Sequence, residues 1–369
     1  MKKTLRIAAL IAMTAVVVAC EKEPQPEGTT EAIEVQQAPK NHAIILNEGD
    51  RNGIASLSYL NLATGTLNND WFLANNERNL GVLGGDVVVY GSKAYVTVSM
   101  SGTLEVIDTA TGASQQYNLN NCYPNRLTAH GGKIYITCHN PRSVIRIDTT
   151  APGTKEAECL LGDYNPEGIA ALNGRLFVAS SYVDDGTGNL TYDNKLYVID
   201  INGFNVISTL TIPTNPQKVL PVDNNHVVVN GWGEWDMNTG ATFDHGTAVV
   251  DAQTLAVTTS PQLISFMAVR NGMVYGIAST YDQSWTQHIE YLTFNPTTLE
   301  TSSLPIRLDD NVTNNPYSIA VHPDNGDIYI TTDGGTYSNT EGDVYCFSSN
   351  GTRRWRNQVG VYPSKIVFY

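Results

Sequence analysis

Four long connections between strand-like runs of this chain combine tryptophan or tyrosine with carboxylate, amide or imidazole side chains. Residues 180–194 carry Tyr182 and Tyr192 beside Asp184, Asp185 and Asp193. Residues 230–246 carry Trp232, Trp235 and Phe243 with Glu234, Asp236 and His245. Residues 279–288 hold Tyr281 and Trp285, and residues 332–342 hold Tyr337. Two shorter segments add Asn47, Glu48 and Arg51, and then His139, Asn140 and Arg142. Rigid aromatic faces give a large contact area at small entropic cost, which is the chemistry of holding a bulky ligand. The competing reading is that these rings pack within their own loops, as long ordered loops often require.

Other reactive chemistry is weaker. Asp184, Asp185 and Asn189 sit among Gly186 and Gly188, as oxygen ligands do in calcium loops. The EF-hand spacing and the distal glutamate are missing, so a solvated turn is the favoured reading. The seven histidines share no recurring pair spacing, so no zinc motif is legible. His139 and His245 are the two that would meet if their loops converge. There is no Gly-x-Ser-x-Gly elbow and no phosphate-binding glycine loop, and no cofactor is expected. A binding protein is expected rather than an enzyme, although an acidic chain can bring carboxylates together for metal-dependent hydrolysis.

The elements that must position these loops repeat. One phrase, Asn or Tyr followed by Pro, recurs as Tyr123-Pro124-Asn125-Arg126-Leu127, Asn165-Pro166-Glu167-Gly168-Ile169, Asn215-Pro216-Gln217-Lys218-Val219, Asn315-Pro316-Tyr317-Ser318-Ile319 and Tyr362-Pro363-Ser364-Lys365-Ile366. Two copies without proline cover residues 82–90 and 263–270. Each phrase leads through a turn to a strand such as Lys133-Ile134-Tyr135-Ile136. A third run follows, such as Val144-Ile145-Arg146-Ile147-Asp148, and then a weaker fourth. The runs are β-branched or alternating and bounded by turn residues, and helical periodicity is nearly absent. Four short antiparallel strands per repeat make one propeller blade. Residues 42–369 span 328 positions, enough for seven blades of about 47 each. Ala43-Ile44-Ile45-Leu46 reads as a second strand with no first, and the chain stops at Tyr369 after a first strand with no followers. The C-terminal strand is therefore expected to pair with the N-terminal blade and remove the open edges.

In such a meander the second-to-third and fourth-to-first connections leave on one face. The long aromatic loops then share a face with the Asn/Tyr-Pro phrases, which adds Arg126 and Tyr317 to the candidates. Proline in those phrases is equally well explained as a turn-fixing residue.

The N-terminus carries a different signal. Met1 to Arg6 is basic, Ile7 to Ala19 is apolar and short, and Val17-Val18-Ala19 leads into Cys20. This resembles the lipobox of a bacterial lipoprotein precursor, which implies residues 1–19 as a signal peptide and a lipid on Cys20. Residues 20–41 are rich in Glu, Gln and Pro and read as an extended tether. The acidic residues after Cys20 resemble the surface-export signal of Bacteroidota lipoproteins. The formal charge is −14, and −17 once Lys2, Lys3 and Arg6 are gone. So acidic a chain is repelled by nucleic acid and by anionic headgroups, leaving the lipid as the only expected membrane contact. Cys122, Cys138 and Cys159 match no disulfide framework or zinc pattern, and Cys346 lies in an apolar run as a plain buried thiol.

The Asn-Pro-x-x-Ile-Ala phrase, the Gly-Lys-Ile-Tyr-Ile strand and the Val-Ile-Asp-Thr strand together resemble the YncE-like seven-bladed propellers, from Ala43 to Tyr369. With Cys20, the acidic tether and Leu46-Asn47-Glu48-Gly49, the chain is also similar to propeller surface lipoproteins of gut Bacteroidota, which include the BtuG-type cobalamin-binding proteins. That resemblance implies an outer-membrane, outward-facing lipoprotein that captures a corrinoid and passes it to a TonB-dependent transporter. Aromatic platforms serve a glycan or a partner protein equally well, so those ligands stay open.

Overall fold

The computed structural model describes residues 40–49, 53–236, 242–282, 284, 286–309, 315–335 and 339–369. The leader, Cys20 and nearly all of the tether lie outside the described residues, as do Trp285 and Tyr337.

Seven antiparallel four-stranded blades make the ring. The first strands are Gly84–Tyr90 in blade 2, Pro124–His130 in blade 3, Pro166–Leu172 in blade 4, Pro216–Pro221 in blade 5, Phe266–Arg270 in blade 6 and Pro316–Val321 in blade 7. Blade 1 takes its first strand, Pro363–Phe368, from the other end of the chain. That strand pairs with His42–Asn47 through Ala43 opposite Phe368 and Ile45 opposite Ile366. Each first strand touches the first strands of both neighbours, so the seven line the axis. The expected closure is present.

The apolar runs are explained by burial on both blade faces. Seven hydrophobic clusters lie between the blades, one for each junction. Ile44 and Leu46 point into the junction with blade 2, while Ala43 and Ile45, one residue out of phase, point into the junction with blade 7. The same division sends Val227 and Val229 toward blade 4 and Val228 toward blade 6. The polar ends of the third strands cap their own turns. Asp108 Oδ1 accepts from the Ala110 and Thr111 amides, and Asp251 Oδ1 does the same for Gln253 and Thr254.

Two features were not legible in the repeat. A six-residue helix, Trp71–Asn76, lies between blades 1 and 2, held by the burial of Trp71 and Phe72, with no side-chain cap at its start and a left-handed Glu77 whose N–H bonds the Leu73 carbonyl at its end. Cys122 and Cys138 form a disulfide that ties the connection entering blade 3 to that blade's second strand. Cys346 is buried and unpaired, as expected, and burial raises its thiol pKa to about 11.

Deleting residues 363–369 should strip blade 1 of its inner strand, open the apolar junctions on both its sides and leave ladder groups unpaired. The expected result is aggregation or a large fall in melting temperature. Thermal unfolding of the truncated protein at the wild-type temperature would show that closure does not depend on this strand.

Candidate ligand-binding site

The site is built from how each blade begins its first strand. In blades 1, 2, 3, 4, 5 and 7 the pairing register slips at that point: one extra residue sits between the Pro (or Gly84) and the regular ladder. A β-bulge bends the strand and re-aims side chains. Proline is tolerated there because the bulge needs no ladder N–H from it. Blade 6, whose copy lacks the proline, pairs without such a slip. The proline phrase is therefore more than a turn: it marks the bulge. Each first strand, bulged in six of the seven blades, places one residue just before its buried apolar position. These are Asp86, Arg126, Lys218, Phe266 and Lys365, with Gly168 and Ser318 in the two remaining blades. Gly85 and Gly168 let the backbones close in. A Cβ on Gly85 would lie 2.5 Å from the Asn125 carbonyl, and one on Gly168 would lie 2.7 Å from the Val219 amide.

Above this ring is a bowl of about 740 Å³, opening on the long-loop face. Its floor is ionic. Arg126 donates to the Gly85 carbonyl and lies 3.8 Å from Glu48 and 4.0 Å from Glu167. Glu167 accepts from Asn125 Nδ2 at 2.5 Å and faces His139 Nε2 at 3.1 Å. Tyr317 donates to Glu48 at 2.7 Å from the adjacent blade 7. Burial would raise the Glu167 carboxyl, but His139, Arg126 and Asn125 hold it below its ordinary value. For Glu48 burial wins over Arg126 and Tyr317, and its pKa is raised. Burial also opposes ionisation of Asp86, yet Lys365, at 3.0 Å, and Arg126 bring it below the usual range.

The wall is aromatic. Tyr182 and Tyr192 face each other on the extended hairpin of blade 4, with Leu190 beside them. Trp235, on the two-stranded ribbon Glu234–Trp235 and Thr242–Phe243 above blade 5, stacks on Tyr281 of blade 6 with ring centres 6.4 Å apart. Trp232 packs edge-on against Phe266 and donates to the Ser265 carbonyl at 2.9 Å. Both tryptophans are about two-fifths exposed, so each offers a face to a ligand.

The bowl thus joins Tyr182, Tyr192, Trp232, Trp235, Tyr281, His139 and Arg126. Three sequence candidates stand elsewhere. Asn47 is buried, and its amide donates to Ser56 and Ser58, locking two strands of blade 1. Its neighbour Glu48 reaches the bowl instead. His245 hydrogen-bonds the Thr242 carbonyl and lines a lateral hollow with His288, away from His139. The chain turns after Phe243 and aims that ring sideways. Tyr317 lies below the bowl, facing the axis. In the loop after Val183 the carboxylates serve the loop's own groups: Asp184 caps Gly186 and Gly188, and Asp185 caps Thr187 and Asn189. Residues that sequence reasoning passed over are Glu167, Gln217, Asp86, Lys218 and Lys365. Their signal was present as the variable positions of the repeated phrase.

No family model matches the chain, and no curated protein matches it. Solved structures do. A quinoprotein alcohol dehydrogenase-like protein from Bacteroides thetaiotaomicron is similar at TM-score 0.61 and 12% identity, over 88% of this chain and 78% of that one. Dihydro-heme d1 dehydrogenase NirN is similar at 0.54 and 11%, over 90% and 76%. AztD from Citrobacter koseri is similar at 0.51 and 12%, over 89% and 97%. At these identities the likeness is one of fold alone.

One group at the axis sets a pH dependence. Burial, with Lys365 adding to it, lowers the Lys218 pKa to about 7. An unfolded lysine holds its proton to about pH 10.4. Between those values the unfolded chain binds a proton that the folded chain does not, so this residue makes stability rise with pH across that window. Lys218→Met should therefore be more stable than wild type below about pH 7, with the advantage shrinking toward about pH 10. Lys365, Arg126, Asp86 and Glu48, the other charged groups facing it, remain in both proteins. Urea unfolding across this range in chloride buffer is the check; parallel pH profiles would refute it.

Proposed function

We propose that the bowl is a capture site for a bulky, flat-sided, amide-rich small molecule, specifically a corrinoid such as cobalamin. The protein would present it from a lipid anchor at the outer face of the outer membrane and pass it to a TonB-dependent transporter. The observation that carries the binding reading is the bowl itself: an open volume of about 740 Å³ with stiff aromatic walls over a fixed polar floor. The floor's Arg126, Glu167 and Glu48 are engaged with one another and with Asn125, His139 and Tyr317. Such a set suits fixed recognition better than turnover, in which an acid or base must be free to exchange protons. The corrinoid rests on the resemblance to the BtuG-type proteins, and the anchor on the lipobox ending at Cys20.

Calorimetric titration of the full-length protein with cyanocobalamin tests the ligand. Trp235 lies on the ribbon outside the four-stranded blades, so Trp235→Ala should leave the melting temperature nearly unchanged. Loss of a central anchor costs about 2 kcal/mol or more, or roughly thirtyfold in affinity. Trp232→Ala should weaken binding and also lower the melting temperature, because Trp232 bonds Ser265 and packs on Phe266. Gln253→Ala, in an exposed turn on the opposite face, should change neither. Absence of heat at micromolar protein would remove the corrinoid and shift the weight to a glycan or a partner protein. Separately, Cys20→Ala should release the protein from the membrane fraction, and unchanged palmitate labelling of that variant would refute the anchor.

A further inference from the structure

The bowl continues downward into a second, narrower space of about 340 Å³ at the axis. The two share Glu48, Arg126, Gln217, Trp232, Ser265 and Phe266, so the lower space opens through the floor of the upper. The bulges turn three cations toward it: Arg126 from blade 3, Lys218 from blade 5 and Lys365 from blade 1.

The pairing of these cations is unequal. Arg126 is flanked by Glu48 and Glu167, and Lys365 is bonded to Asp86 at 3.0 Å. Lys218 Nζ has neither an ion pair nor a hydrogen bond among the described residues. Blade 4 sets Gly168 at the position next to it in the ring, and blade 6 sets Phe266 on the other side. Neither can neutralise it. Asp86 acts on this ammonium across the cavity but is bonded to Lys365, and among the described residues no carboxylate pairs with Lys218 directly. Enclosing a lone charge is costly unless it is paired and hydrogen-bonded.

We propose that the axial cavity is a binding site for a small free anion, a carboxylate or an inorganic oxyanion of about phosphate's size, held by Lys218 with Arg126 and Lys365 at its sides. The size fits. A water takes about 30 Å³ of liquid, so the cavity has room for such an anion with part of its hydration shell, but not for a ligand that fills the bowl. Charge-assisted bonds to an oxyanion are the strongest available to an ammonium and a guanidinium. Glu48 and Asp86 also face the space and repel an anion, which favours the lower charge among anions of one size. Because Lys218 sheds its proton near neutrality when unpaired, an anion binds together with a proton, and its affinity falls with rising pH. The anion site does not require the bowl to hold a corrinoid, although the two spaces share Arg126 and Glu48.

The test is carbon–nitrogen correlation NMR of the full-length protein with labelled lysine, titrated with sodium phosphate and with sodium acetate. Sodium chloride at matched ionic strength is the control. The expected result is a saturable shift of the Lys218 Cε and Nζ signals with phosphate, acetate or both, and an apparent pKa for Lys218 that moves upward. Affinity should fall about tenfold per pH unit once the free amine is neutral. Lys218→Met should abolish the saturable response at Lys365, and Lys218→Arg should retain it. No response at Lys218 beyond the chloride control, with either anion, would overturn the proposal from the wild-type protein alone. Binding of equal affinity in Lys218→Met would overturn the assignment to this residue.

Discussion

Each blade has two apolar faces, and neither is covered until its neighbours are in place. This two-sided burial constrains everything else, because a ring with one blade missing an inner strand exposes two junctions at once. The chain meets the constraint by splitting blade 1 between its ends. The strand at Pro363–Phe368 completes a sheet begun at His42–Asn47, and Ile366 enters the same cluster as Ile45 and Ala320. Closure thus joins the most distant parts of the sequence, so the ring's last junctions depend on its longest-range pairing.

A closed ring brings seven inner strands to one axis, and there the apolar logic ends. The junctions between blades are filled, but the axis is lined by whatever the first strands present at their bulges. This chain presents charge. Arg126 reaches the Gly85 carbonyl of blade 2 and the carboxylates of blades 1 and 4, and Lys365 crosses from blade 1 to Asp86 of blade 2. Tyr317 of blade 7 bonds Glu48 of blade 1. These bonds join blades through side chains that burial alone would oppose. Replacing one partner would leave the other unpaired in a poorly solvated space, which costs more than the intact pair contributes.

Over this repeated geometry of strands the loops differ from blade to blade. The second-to-third connections of blades 2 and 3 are short, while blade 4 extends its hairpin to Tyr182 and Tyr192 and blade 5 raises a separate ribbon with Trp235. The asymmetry makes one side of the bowl aromatic and tall and leaves the side of Ser99 and Leu83 low. A flat ligand would lie against the tall side and be met from below by Arg126, His139 and Asn125.

The sequence by itself determined the repeat, the blade and the closing strand, because these depend on period-two burial and turn residues that are local and recur. It also determined which loops carry aromatic rings and on which face they emerge, since strand direction alternates. It could not place Asn47, which has the composition of a site residue but spends its amide inside blade 1, nor His245, which the turn after Phe243 directs outward. The disulfide between Cys122 and Cys138 depends on the approach of a connection to a strand end, a distance no spacing encodes. The axial charges were in plain view as the variable letters after each proline. Only the tertiary structure decided their role, because a bulge turns them inward and the ring brings Asp86, Arg126, Lys218 and Lys365 from four different blades into one small space.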